Sequence, residues 1–374
     1  MTRPTPIHFQ ERRSLLAAAT GTAALAAAGP LQAMLSWERE EPEGLGVANT
    51  LGARLDEGVK SGELHNLHAV FVVRRGKVAV ERYYQGTDER WGTPLGTVAF
   101  SATTLHDLRS VGKNIVGLLY GIALGEGKVP ALDTPVLESF PSYRDLARDP
   151  QRRGIRMSHV LSMTMGLDWN EDLPYTDPHN SEIAMERSFD RCRYVLERPI
   201  VAPPGEKWRY SGGATAVLGH LIARGTGLSL LDFARARLFA PMGIEAVEWT
   251  PGSNGEAAAA SGLRMRAADL ARVGQLVLQR GDWGGRSLVP SDWIAACVTA
   301  RTPDFEGVQY GYHWYVATRR DGSSAYLATG QGGQRLVVVP SLDLAYVILM
   351  GNYYRTDQLK PVLAIQSLIG ASMR

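Results

Sequence analysis

The strongest constraint in this chain is where its two periodicities fall. Strand-type patterns stand near both ends, and helix-type patterns fill the middle. Residues 69–73 and 78–84 read as two β runs joined through Arg74-Arg75-Gly76-Lys77, a hairpin signal. Ahead of them, Val47, Leu51, Leu55 and Val59 recur four apart, the spacing of an amphipathic helix. From about 105 to 300 the pattern turns helical, near 113–124, 181–197, 214–224, 229–239 and 266–280, with Pro/Gly-rich loops between. Strand patterns return at 310–317, 325–329, 334–339 and 344–350, before a closing helix over about 357–370. The economical arrangement is one antiparallel sheet built from both chain ends, with terminal helices on it and a helical lobe inserted. The expected fold class is therefore α+β. The sheet lobe takes about 34–104 plus 301–374, and the helical lobe about 105–300. A cleft between such lobes is where ligand sites concentrate.

Residues 1–33 read as an address. Arg12-Arg13-Ser14-Leu15-Leu16 pairs two arginines ahead of a weakly apolar Ala/Thr/Gly run, and Leu31-Gln32-Ala33 ends on a small residue suited to cleavage. The arginine pair points to a twin-arginine export signal, with an ordinary secretory signal as the alternative, and so to a periplasmic or secreted protein. The formal net charge of +2 equals that of this leader, so residues 34–374 are neutral. A neutral body argues against an electrostatic nucleic-acid binder. No apolar run of about 20 residues lies outside the first thirty, so no stable membrane span is expected in the mature form.

Two cysteines, Cys192 and Cys297, allow one bridge or two thiols. No CxxC or HExxH spacing occurs, and the His65/His68 pair reads as surface or core rather than as ligands. Neither metal nor organic cofactor is expected.

Three elements carry chemistry. Ser110-Val111-Gly112-Lys113 opens the first helix of the middle region, where residues three apart share a face. With six lysines and 22 serines, such a spacing arises by chance about 0.35 times, so context decides. Lys113 is followed by Asn114-Ile115-Val116-Gly117-Leu118-Leu119, which draws the lysine into the protein, where it can take a proton from a neighbouring hydroxyl. Second, Pro203-Pro204-Gly205 leads a turn that delivers Tyr210-Ser211-Gly212 before a helix. Third, Thr329-Gly330-Gln331-Gly332-Gly333-Gln334 lies between two strand runs, and glycines there let a substrate backbone approach.

In order and spacing, these elements resemble the serine β-lactamase and penicillin-binding protein superfamily. The likeness is closer to the class C β-lactamase-related branch that includes carboxylesterases and 6-aminohexanoate-dimer hydrolase, as in Met163-Thr164-Met165-Gly166-Leu167-Asp168-Trp169 and Gly330-Gln331-Gly332-Gly333-Gln334-Arg335. The resemblance implies a β-lactamase-like fold and a serine hydrolase of small ester or amide substrates. Ser110 would be the nucleophile, with Lys113 and Tyr210 as the proton-transfer pair; which is the primary base stays open. The implied oxyanion donors are the backbone N–H groups of Ser110 and Gln334. Trp169, Tyr175, Trp314 and Tyr353 would stand at the cleft rim, or else in the core.

Two departures bear on substrate. The family's Tyr-x-Asn appears as Tyr210-Ser211-Gly212, and its Lys-Thr-Gly as Gln331-Gly332-Gly333, with no lysine between Lys207 and Lys360. Strand alternation would put Gln331, Gly333 and Arg335 on one face; Arg335 is then a replacement anion anchor if that face is the cleft, or else solvated at the sheet edge. The alternatives are a cell-wall D,D-peptidase or class C-type β-lactamase, and a non-catalytic binding protein on the same scaffold. A Ser-His-Asp hydrolase is disfavoured, since no Gly-x-Ser-x-Gly elbow occurs.

Overall fold

The structure, a computed structural model, describes residues 36–303 and 307–374; the export signal expected over residues 1–33 lies outside them. Helix α1 (Thr50–Lys60) precedes strands β1 (Leu67–Arg74) and β2 (Lys77–Tyr83). A second hairpin follows, β3 (Gln85–Arg90) with β4 (Thr93–Ala99). The middle region contains helices α2 (Val111–Gly125), α3 (Ser181–Glu186), α4 (Gly212–Thr226) and α5 (Ala267–Leu278). The chain then returns through β5 (Val308–Tyr310), β6 (Tyr315–Thr318), β7 (Ser324–Gly330), β8 (Gln334–Val339) and β9 (Leu344–Met350), and closes with α6 (Leu359–Ala371).

Both chain ends meet in one seven-stranded antiparallel sheet, ordered β5-β6-β7-β8-β9-β1-β2. The seam is β1 against β9, with Val70 opposite Ile348 and Val72 opposite Tyr346. Because side chains alternate across a strand, these four residues share one face, where they pack with Leu51 and Leu55 of α1 and Val362, Ile365 and Ile369 of α6. Helix α5 covers the other face, close enough that a Cβ on Gly274 would lie 2.8 Å from Leu336 Cδ1. The fold is thus the expected α+β architecture.

Helix α2 is buried on all sides from Val111 to Ala123, as its sequence, apolar apart from Lys113 and Asn114, requires. Trp293 presses against it, with its Nε1 donating to the Gly117 carbonyl at 3.0 Å. The expected helix at 181–197 is two, because Asp190 caps a new start at Arg191–Leu196. The expected strand at 310–317 breaks at Gly311–Trp314, where His313 takes φ +60°. The β3–β4 hairpin was not foreseen, since its exposed Thr, Gly and charged residues carry no apolar alternation. Cys192 and Cys297 are both buried free thiols. Among the described residues no single helix is long and apolar enough to cross a membrane.

Candidate active site

Ser110 sits where an irregular turn becomes a helix. Leu108 bonds back to the Leu263 carbonyl, and Arg109 takes φ +50°, a left-handed conformation uncommon for a residue with a side chain. Ser110 then occupies the N-cap of α2 without spending its hydroxyl on a backbone N–H. Lys113 lies one turn on, and its Nζ is 3.0 Å from Ser110 Oγ. The lysine is 1% exposed. Its other partners are the Ala260 carbonyl at 3.2 Å and the Glu182 carboxylate at 3.5 Å.

Tyr210 arrives from the opposite side, at the end of the proline-rich turn. That turn is strapped to the Met163–Gly166 stretch: Gly205 N–H donates to Thr164 O and Arg209 N–H to Met163 O. Ser211 caps α4 through Ala214 N–H, which fixes the residue before it. The ammonium of Lys113 lies 5.0 Å from the Tyr210 ring centroid, and Tyr315 stacks on the same ring. Burial first, then Tyr315 and Glu171, hold the Tyr210 phenol well above its ordinary pKa, and a hydrogen bond with the Ser110 side chain offsets part of this.

Two acids absent from the sequence expectations complete the cluster. Glu182 lies in the first turn of α3, presented by Asn180, whose side chain caps Glu182 and Ile183. Glu171 accepts from Trp169 Nε1 and from Gly212 N–H. Burial and the neighbouring Glu182 push the Glu171 carboxyl up to about 8. Glu182 is held below the ordinary range, because Lys113 and hydrogen bonds from Ser261 and Glu171 outweigh its burial. The two carboxyls are thus pushed in opposite directions, Glu171 toward its protonated form and Glu182, beside Lys113, toward its ionised one. The sequence offered no spacing signal for this pair, which comes from a loop and a helix tied together only in three dimensions.

A cavity of about 260 Å³ opens over Ser110, lined also by Trp91, Arg109, Tyr175, Glu182, Ser261 and Gln331. Tyr175 and Gln331 therefore stand where expected. The other expected wall residues do not. Trp169 is 2% and Trp314 0% exposed, both in the core. Tyr353 is buried against the Arg109 guanidinium, 4.6 Å from its ring centroid, and its neighbour Tyr354 reaches the cavity instead.

The glycine-rich stretch also differs. Gln331-Gly332-Gly333 is the turn between β7 and β8, with φ +90° at Gly332 and +103° at Gly333, so strand alternation does not apply to it. Gln334 begins an interior strand opposite Gly330, is 0% exposed, and its side chain bonds the backbone of Met350 at both N–H and C=O. It does not line the cavity. Arg335 is buried too, and its guanidinium donates to the Gln334 carbonyl at 2.7 Å. The strand that abuts the nucleophile segment is the end of β7, where a Cβ on Gly330 would lie 2.4 Å from the Leu108 carbonyl oxygen.

The sequence profile of the family described as "Beta-lactamase" matches residues 60–364. The chain belongs to the beta-lactamase family. This beta-lactamase-family protein is 25% identical over 301 residues to the 6-aminohexanoate-dimer hydrolase of Paenarthrobacter ureafaciens, which covers 75% of the chain and 71% of the relative. Its fold matches a penicillin-binding protein homologue from Caulobacter crescentus with a TM-score of 0.65 at 16% identity, over 89% of this chain and 99% of that one. It matches EstCE1, a hydrolase with promiscuous acyltransferase activity, with a TM-score of 0.64 at 16% identity, over 90% and 98%. The kinship supports serine hydrolase activity in general for this beta-lactamase-family protein.

Proposed function

We propose that this protein cleaves ester or amide bonds through an acyl-enzyme on Ser110, with Lys113 as base and Tyr210 as acid. The observation that carries the reading is the 3.0 Å approach of Lys113 Nζ to Ser110 Oγ inside a buried site. At rest the ammonium of Lys113 is paired with Glu182 and bonded to the Ala260 carbonyl; the base is the amine left when Glu182 takes one of its protons, and its lone pair then faces Ser110. That is the geometry for drawing off the serine proton as the hydroxyl attacks a carbonyl carbon. Tyr210 keeps its proton at neutral pH, which suits it to protonate the leaving group. Water then attacks the acyl-enzyme, giving its proton to the tyrosinate while the lysine returns the first proton to Ser110 Oγ.

The oxyanion donors on this reading are the backbone N–H groups of Ser110 and Gln331, since Gln331 lines the cavity and Gln334 does not. Loss of one such donor costs about 2.7–4 kcal/mol of transition-state stabilisation. On this reading Ala328-Thr329-Gly330, which abuts the Ser110 segment, replaces the expected Gln331-Gly332-Gly333 as the counterpart of the family's Lys-Thr-Gly, with alanine where antibiotic-directed relatives have a cation. Arg109 is the one cation lining the cavity among the described residues, and Glu89 and Asp107 already pair with it. Glu182 adds negative charge, while Glu186, pushed up to about 7 by burial, is paired with Arg191. Neutral esters and amides suit such a site better than carboxylate-bearing β-lactams.

The test is a fluorophosphonate label with kcat/KM for p-nitrophenyl butyrate beside nitrocefin. We expect one adduct on Ser110, none in Ser110→Ala, and an ester value well above the nitrocefin value. Labelling of another serine removes the assignment, and a nitrocefin value equal to the ester's favours the β-lactamase reading. Export remains part of the proposal: Arg12→Lys with Arg13→Lys is expected to retain the precursor in the cytoplasm, and continued export points to an ordinary secretory signal.

A further inference from the structure

A second polar cluster lies one residue layer from the cavity. His68 of β1, Asp88 of β3 and His106, four residues before the nucleophile, are all buried, at 0%, 6% and 1% exposure. Tyr353, which packs against Arg109, donates its hydroxyl to Asp88 Oδ1 at 3.1 Å. Phe100 stacks on His68 with ring centroids 4.0 Å apart.

The hydrogens of this cluster can be counted. Asn66 is fixed in orientation, because its Nδ2 donates to Thr87 O at 3.0 Å while its Oδ1 accepts Thr87 N–H at 2.8 Å. That same Oδ1 faces His68 Nε2 at 3.1 Å, so Nε2 carries a hydrogen. His106 Nδ1 lies 2.8 Å from the Asp107 carbonyl oxygen, so it carries one as well. The two remaining ring nitrogens, His68 Nδ1 and His106 Nε2, point at each other across 2.8 Å. With both rings neutral, two lone pairs meet there and nothing lies between them.

Only a positive charge resolves that contact, a proton or a metal ion. Burial at 0% and 1% exposure disfavours the proton, since an imidazolium there would be cut off from water. A metal ion binds neutral imidazole and brings its own charge. Asp88 Oδ1 stands 3.9 Å from His106 Nε2, and the three candidate ligand atoms lie within 4.8 Å of one another.

We propose that His68 Nδ1, His106 Nε2 and Asp88 Oδ1 bind a divalent transition-metal ion of the zinc class. Two imidazoles and a carboxylate are a donor set such ions accept. Each imidazole gives its other N–H to a carbonyl oxygen, and the carboxylate is held by a tyrosine, the supports that orient ligands around a metal. Tetrahedral zinc with Zn–N bonds near 2.0–2.1 Å sets its nitrogens about 3.3 Å apart, so the rings part by about 0.5 Å on binding. The ion ties the sheet, the β3–β4 hairpin and the segment that runs into Ser110. It is a clamp on the nucleophile's approach and takes no part in the bond cleavage. Sequence spacing gave no sign of it, because its ligands come from positions 68, 88 and 106 on three elements.

The experiment uses untagged mature protein, stripped with chelator and titrated with Zn²⁺ or Co²⁺ alone. Calorimetry should show one saturable site per chain, Co²⁺ should give the visible bands of a low-symmetry tetrahedral centre, and Zn²⁺ should raise Tm. Asp88→Asn, which keeps an acceptor for Tyr353, should weaken binding at least tenfold, and His106→Ala should abolish the Co²⁺ bands. Should His106→Ala fail to fold, the wild type and Asp88→Asn carry the comparison. The proposal is overturned if stripped wild-type protein takes up no stoichiometric ion, if Asp88→Asn binds as the wild type does, or if imidazole ¹⁵N shifts show a proton shared between the two rings.

Discussion

Glu182 stands 3.5 Å from Lys113 Nζ, with the lysine side chain 1% and the glutamate side chain 3% exposed. A charge buried to this degree is tolerated because its partner is present. Glu182→Gln leaves Lys113 without a counter-charge, a loss on the order of 3 kcal/mol or more in comparable buried pairs. We expect a lower urea midpoint together with a large fall in kcat. An unchanged midpoint would show that the pair contributes nothing to folding.

Lys113→Met and Tyr210→Phe should each lower kcat by about 10²–10⁴ with modest change in KM, since proton transfer is felt in the transition state. Their effects should be far from additive, because both act in one proton-transfer sequence at Ser110. As the Tyr210 phenol is held well above 10, no alkaline rise from tyrosinate formation is expected up to pH 10. Such a rise, absent in Tyr210→Phe, would make the tyrosinate the base.

Glu171 titrates near 8 in the folded protein against an ordinary 4.5. The folded state therefore holds this proton more tightly than the unfolded chain does. The stability linked to it is complete below about pH 4.5 and is lost as pH rises through 8. Glu171→Gln mimics the protonated form and should flatten that loss. The difference in Tm between variant and wild type, followed from pH 5 to 9, should grow with pH. A constant difference would return Glu171 to an ordinary ionised carboxylate.

Gly121 of α2 faces Trp293, and a Cβ there would lie 1.9 Å from the indole Cδ1. In an exposed helix, Gly to Ala would stabilise by roughly 1 kcal/mol. Here the overlap reverses the sign. Gly121→Ala should cost about 1–3 kcal/mol in urea unfolding. A stabilised variant would mean that the indole moves aside freely.

The central strands of the sheet were legible because β1, β8 and β9 are rich in valine and isoleucine, and the helical middle because α2, α4 and α5 are long and apolar. Ser110 and Lys113 were legible because a three-residue spacing on a helix is a local fact. The walls were not. Trp169 and Trp314 look alike in sequence whether they face a cleft or a core, and here they face the core. Strand alternation put Gln331, Gly333 and Arg335 on one face, but the structure interrupts that strand with two left-handed glycines. Glu171, Glu182 and the His68–His106 pair belong to contacts between distant segments, which no local pattern encodes.

The seam between β1 and β9 sets the order in which this molecule can be made. Val72 finds Tyr346 only after nearly the whole chain exists. Loop closure over such a separation is slow, and an unpaired strand edge is an aggregation hazard while it waits. On the ribosome, β1 can pair with β2 early, but its other edge stays open until residues 344–350 emerge. A chain cut short before Leu344 would leave both β1 and β8 with bare edges in the centre of the sheet. Truncated products should therefore be insoluble, and joining the two native ends while opening a loop in the helical middle should make the sheet a local structure and quicken folding.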